Sequence, residues 1–168
     1  MKKTLLICVL IYSYINTQAQ SQIKYTAKVE TGYHFIFARL LKHMPEDGVS
    51  YHRPHGLSDG IDLSFVNGIS FRNNLRLGLG VSYLDYKQMD GYAIFGDLEY
   101  LTGKRKVSPV FNMKIGKSYV NDISDNTFVD FTGGVEYKVG KKLSLQYKVG
   151  LRFVHHSAFL PVRIGARL

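Results

Sequence analysis

Thiol chemistry is the first thing this sequence lacks. Among 168 residues there is one cysteine, Cys8, and it lies inside the apolar stretch of an N-terminal leader. Ile7 precedes it, whereas a lipid-modified cysteine would follow a small residue at the end of such a stretch. The chain beyond residue 20 is therefore expected to hold no thiol, disulfide or Cys-ligated metal. Long apolar runs are missing too. No segment after Gln20 holds 18 apolar residues, which excludes a transmembrane helix. Basic residues outnumber acidic ones, 22 against 13, for a net charge of +9. No stripe or helix collects them, so a nucleic-acid interface is not expected. Hydrophobic residues at 45%, charged residues at 21% and a mean hydropathy of -0.09 exclude both a disordered tail and a bundle of membrane helices.

The leader has the layout of a secretory signal peptide. Lys2 and Lys3 form a positive start, Leu5 to Ile15 an apolar stretch, and Asn16 to Gln20 a polar end containing the small residue Ala19. Cleavage is expected after Ala19 or Gln20, so residues 1–20 are assigned to the signal peptide and 21–168 to a single domain.

Within that domain the dominant pattern is alternation with period two, the mark of a strand with one apolar and one polar face. Leu143, Leu145, Tyr147, Val149, Leu151 and Phe153 oppose Ser144, Gln146, Lys148, Gly150 and Arg152. Leu75, Leu77, Leu79, Val81 and Tyr83 oppose Arg76, Gly78, Gly80 and Ser82. Similar stretches surround Val29, Leu63, Leu98, Ile115, Phe131 and Ile164. They amount to about eight strands of about 10 residues, the number and length of a small membrane barrel. The expected fold is all-β, an eight-stranded antiparallel up-and-down transmembrane β-barrel. Tight connections are expected at 72–74, 102–106 and 140–142. Longer ones are expected at 39–60, 88–91, 121–126 and 155–158.

The polar faces mix glycine with both signs of charge: Lys28, Glu30, Asp62, Arg76, Asp97, Glu99, Lys114, Asp130, Glu136, Lys148, Arg152, Arg163 and Arg167. Small residues beside long charged ones suit the crowded interior of an eight-stranded barrel. Tyr and Phe gather near strand ends on the opposite faces, as an aromatic girdle would. A soluble periplasmic ligand-binding barrel, or a sandwich, is the alternative, with the apolar face turned inward.

Several stretches resemble the small outer-membrane β-barrel proteins of Gram-negative bacteria, in particular the short type common in the Bacteroidetes. They are Ala19-Gln20, Leu77 to Tyr83, Gly96 to Tyr100, Val107 to Phe111, and Pro161 to Leu168. The resemblance implies an outer-membrane location, outer-membrane lipids as surroundings, and insertion by the outer-membrane assembly machinery through the last strand. Leu168 stands where that family usually ends in an aromatic residue. The family shares no catalytic residues, and none is assigned here.

Four groups of side chains are candidates for chemistry. His155-His156-Ser157 resembles the His-x-Ser pair of the lipid A deacylases, which are also outer-membrane barrels. Ala158 stands where those enzymes have Asn, and no Asp or Glu follows Glu136 to orient the imidazole. A lipid A deacylase-like hydrolase using His155 and Ser157 is thus an alternative, and a polar loop tip without catalysis is the expectation. His34, His43, His52, His55, His155 and His156 are expected towards one end, with Glu46, Asp47 and Asp59 nearby. Such a set is able to bind Zn²⁺ or Cu²⁺, but the spacings match no known site. They are read as solvated loop histidines, with no metal and no cofactor assigned. The carboxylates among the strand charges are expected to form interior salt bridges, leaving no room for a substrate or a general pore. Finally, Arg72, Lys104 to Lys106, and Lys141-Lys142 make the tight turns basic, which suits contact with anionic headgroups or periplasmic polymers. A monomer is expected.

Overall fold

A computed structural model describes residues 23–36, 59–72, 74–86, 89–103, 105–120, 123–140, 142–154 and 157–168. These residues form eight strands: β1 (Ile23–Ile36), β2 (Gly60–Phe71), β3 (Leu75–Tyr86), β4 (Met89–Leu101), β5 (Val107–Val120), β6 (Ile123–Lys138), β7 (Ser144–Val154) and β8 (Ser157–Arg167). Each pairs antiparallel with its neighbours in chain order, and β1 pairs with β8, so the sheet closes into a barrel. The closing ladder runs from Lys28 opposite Arg167 to Ile36 opposite Phe159. Reciprocal backbone hydrogen bonds between Ala27 and Leu168 extend it. Closure removes both sheet edges, and with them the unpaired backbone groups that hydrocarbon does not tolerate.

The alternation resolves into an inversion of the usual core. Leu63, Leu79, Val81, Ile94, Phe111, Tyr147 and Ile164 are exposed on the outer surface. All thirteen charged residues expected on the inner face are buried. A soluble barrel would have the two faces exchanged. Outward tyrosines and phenylalanines collect near both ends. Tyr92 and Tyr119, paired across β4 and β5, stack at 5.0 Å, and Tyr33 lies 4.6 Å from Phe35. The fold is an eight-stranded transmembrane β-barrel.

The expected asymmetry of the connections needs correction. β3 to β4, β5 to β6 and β7 to β8 are joined through two residues each, at 87–88, 121–122 and 155–156. Strand pairing runs on into the segments read as loops: Tyr86 pairs with Met89, Val120 with Ile123, and Val154 with Ser157. Two residues suffice to reverse an antiparallel pair, so polar residues near a strand end need not form a loop. The connections at the other end span 72–74, 102–106 and 139–143, and are the longer ones. Only the segment between β1 and β2 remains a long connection. The ends are called here the loop end, which carries that segment, and the turn end. The strands are also longer than expected, from 11 residues in β7 and β8 to 16 in β6.

Candidate functional site: the charged lumen and its two ends

The inner face has seven buried cationic and six buried anionic side chains among the described residues. Taking such groups out of water is costly unless each meets a counter-charge and has its hydrogen bonds filled. The strands supply partners across the barrel, not only along one ladder. Glu30 of β1 accepts from Lys114 of β5 at 2.6 Å and from Lys148 of β7, with Lys28 at 3.4 Å. Lys28 also donates to Asp97 at 2.9 Å and to Glu99 at 3.1 Å. Asn112 bridges between these groups, donating to Asp97 at 2.8 Å and accepting from Lys148 at 3.3 Å.

Towards the turn end, Arg76 binds Glu136 through both terminal nitrogens, at 2.5 and 3.0 Å, and Glu99 at 2.7 Å. Arg167 donates to Glu99 at 2.6 Å and to Thr26 at 3.0 Å. Gln146 donates to both glutamates. With Lys28, donors from four strands, β1, β3, β7 and β8, thus meet on Glu99 of β4.

Towards the loop end, Arg163 donates to Asp130 at 2.5 Å and to Asp62 at 3.4 Å. The Arg152 guanidinium lies 4.2 Å from the centre of the Phe128 ring, a cation–π contact. His34, expected among solvated loop histidines, is instead fully buried here, with Nε2 3.3 Å from an Asp62 oxygen. The reason is position: residue 34 is even-numbered on a strand whose even-numbered residues Lys28, Glu30 and Gly32 all face inward.

Glycines make room for these chains. A Cβ at Gly165 would lie 2.8 Å from Cγ of Glu30, and one at Gly32 would lie 2.7 Å from Cγ of Arg163. Glycine is depleted in ordinary strands because it has nothing to pack. Here the space it leaves is filled by the long side chain opposite.

An apolar cluster in the upper lumen was not anticipated. Val66, Leu84, Tyr86, Ala93, Phe95, Val120, Phe128, Val154 and Phe159 are buried together on the inner face. Tyr86 and Phe159 lie 6.0 Å apart, each within 6.4 Å of His34. Its signal in the sequence is the breakdown of alternation at strand ends. Ile94-Phe95, Phe128-Val129, Phe153-Val154 and Tyr83-Leu84 put apolar residues on both faces at once. The lumen is therefore two-tiered, with an aromatic cap at the loop end above a charge-paired interior.

The sequence-derived candidates fall as follows. His43, His52, His55, Glu46, Asp47, His155 and His156 lie outside the described residues. Ser157 opens β8, its backbone paired with Val154. Glu30, Asp97, Glu99, Asp130 and Glu136 are brought together with Lys and Arg as an interior network, as expected.

No protein-family model matches the chain, and no curated protein matches it either. Solved structures do. Neisserial surface protein A is similar with a TM-score of 0.63 and 13% identity, over 87% of this chain and 97% of that one. The N-terminal β-barrel domain of Pseudomonas aeruginosa OprF is similar with a TM-score of 0.56 and 12% identity, over 88% of this chain and all of that one. Both are small eight-stranded outer-membrane barrels of Gram-negative bacteria, and it is their fold that this chain shares.

Proposed function

We propose that this protein is a small integral outer-membrane barrel of the short Bacteroidetes type, with a structural or surface-interaction role in the cell envelope. It is exported on a cleaved leader of residues 1–20. It is inserted by the outer-membrane assembly machinery through its last strand, and it acts as a monomer without catalysis and without a general pore. The observation that carries this reading is the inversion of polarity over all eight strands. Lipid suits an apolar outer belt, and a closed, paired charge network suits a lumen that conducts little. The aromatic cap and the salt-bridged tiers below fill the space a diffusion channel would need.

The test is fractionation of expressing cells with a heat-modifiability gel. The expected result is a detergent-insoluble outer-membrane protein whose mobility changes on boiling. Recovery in the soluble periplasmic fraction would reject the reading. Liposomes containing the purified protein are expected to swell no faster in small sugars than empty ones, and rapid swelling would reject the absence of a pore.

A further inference from the structure

Among the described strand residues only two glycines face outward, Gly96 of β4 and Gly133 of β6, on either side of β5. Neither is required by the backbone. A Cβ at Gly133 would meet nothing closer than Cδ1 of Phe111 at 3.8 Å, and one at Gly96 nothing closer than the Ile115 carbonyl oxygen at 3.9 Å, both ordinary contacts. At the inward-facing Gly134, by contrast, a Cβ would overlap the Tyr147 carbonyl oxygen. Gly133 therefore leaves a gap in the outer belt where a side chain would fit. The gap is a groove of about 370 Å³, lined on its outer side by Leu98, Tyr100, Phe111, Met113, Phe131 and Gly133.

The groove points towards a positive edge. Gly133 and Tyr137 share the outward row of β6, and four residues of strand separate them by about 13 Å. With the usual strand tilt, Gly133 lies about 10 Å deeper than Tyr137, within the roughly 15 Å of hydrocarbon in one leaflet. The Lys106 ammonium stands over the exposed Tyr137 ring, 5.2 Å from its centre, and the neighbouring Arg105 is exposed. Asp97, Glu99, Asp130 and Glu136, the acidic residues on this part of the wall, are all buried in the lumen. The outer edge of the groove thus carries cations without a competing carboxylate.

We propose that this groove seats one acyl chain of an acidic phospholipid, with the phosphate against Lys106 and Arg105. Hydrocarbon surrounds the belt, and an unfilled cleft there forfeits the dispersion contacts of its lining. A glycine floor lets the chain approach the backbone closely. The depth of the groove matches a chain hanging from a headgroup at the level of Tyr137, and the basic pair favours a headgroup with net negative charge. The cleft fixes where the lipid sits, and the cations select which lipid it is. The inference rests on the membrane-spanning fold and holds whichever surface role the loop end plays.

The test is native mass spectrometry of the protein purified from expressing cells in a non-ionic detergent. The probes are dioleoyl phosphatidylglycerol and dioleoyl phosphatidylcholine, which share their chains and differ in charge. The affinity for the first bound lipid is compared among wild type, G133L, G133A and R105Q/K106Q. V29L and K24Q are controls on β1, the opposite wall, at exposed positions. Wild type is expected to prefer phosphatidylglycerol at least about fivefold, the factor for one basic group beside an anionic lipid, and R105Q/K106Q to lose that preference. G133L is expected to weaken both lipids at least about threefold through lost methylene contacts, with a smaller loss in the same direction for G133A. Both controls should stay within about twofold of wild type, the scale of ordinary surface changes. Heat-modifiability confirms that each variant is folded, and G133A, which adds one methyl group, supplies the comparison if G133L is not. Equal affinity of wild type for the two lipids would overturn the proposal. So would filling at residue 133 with no more effect than V29L, or a charge loss in R105Q/K106Q no greater than in K24Q. Each of these results would leave the fractionation of the barrel unchanged, so the lipid site and the outer-membrane location fail separately.

Discussion

Glu30 and Lys114 stand on β1 and β5, opposite walls of an eight-stranded barrel, and their side chains meet across the lumen at 2.6 Å. Lys148 binds the same carboxylate and Lys28 lies beside it, so one anion holds together three cations from three strands. Removing it leaves those lysines facing one another in a space without bulk water. Glu30→Gln is expected to destabilise the barrel by about 3–5 kcal/mol, the range for breaking a buried pair from one side. Adding Lys148→Met should recover part of that loss by removing one of the stranded charges. Denaturant unfolding in lipid vesicles measures both. A single variant as stable as wild type would show that the network is not what ties the walls together.

The outer belt is tested at Leu151, which faces outward from β7 opposite Phe131, while Gln146 and Arg152 of the same strand face in. Leu151→Arg is expected to cost roughly 2–4 kcal/mol in a bilayer, as arginine does near the midplane of a barrel wall. On a water-exposed surface the same change would cost little. A loss below about 0.5 kcal/mol, the usual scatter for surface sites, would count against a lipid-facing belt.

The turn between β2 and β3 contains the one non-glycine residue with positive φ among the described residues. Arg72 has φ of +51°, and Asn74 N–H donates to the Phe71 carbonyl at 3.1 Å. A side chain with a Cβ is disfavoured in this left-handed region, whereas glycine enters it freely. Arg72→Gly is expected to stabilise the turn by about 0.5–1 kcal/mol, and Arg72→Val to destabilise it by at least as much. The unfolding midpoints of the two variants should therefore move in opposite directions.

His155 and Ser157 are expected to play no catalytic part. No Asp or Glu side chain lies between Glu136 and Leu168 to orient the imidazole. Mass spectrometry of lipid A from cells expressing wild type or Ser157→Ala should give the same acyl pattern. Stability should also stay within about 0.5 kcal/mol. An acyl chain that disappears with the wild type and returns with the variant would establish a hydrolase.

The candidate site was only partly legible in advance. The odd–even rule was enough to place Lys28, Glu30, Asp97 and Glu99 on one face. It also put His34 on that face, beside Lys28 and Glu30, but did not show that this residue would be buried rather than solvated with the loop histidines. Nor did it anticipate Phe95, Phe128 and Phe159, since a strict apolar-out pattern has no place for inward aromatics. Near the loop end both faces of several strands are apolar. One face meets lipid and the other meets its counterparts across the narrow lumen, and a period-two reading does not distinguish such a stretch from a badly aligned strand.

What the sequence determined by itself is the wall. Eight alternating segments, without cysteine and without a long apolar run, dictate strands with one apolar and one charged face, and such strands have few ways to satisfy their backbones in a membrane except by closing on themselves. Which charge meets which was decided only by the closed barrel. Arg76 and Glu136 are 60 residues apart, Lys148 and Glu30 are 118 apart, and none of these four strands has its partner as a ladder neighbour. Closure brings opposite walls within the reach of a lysine or arginine side chain. Pairing across that gap depends on strand register and tilt, which are properties of the whole sheet and of no single segment.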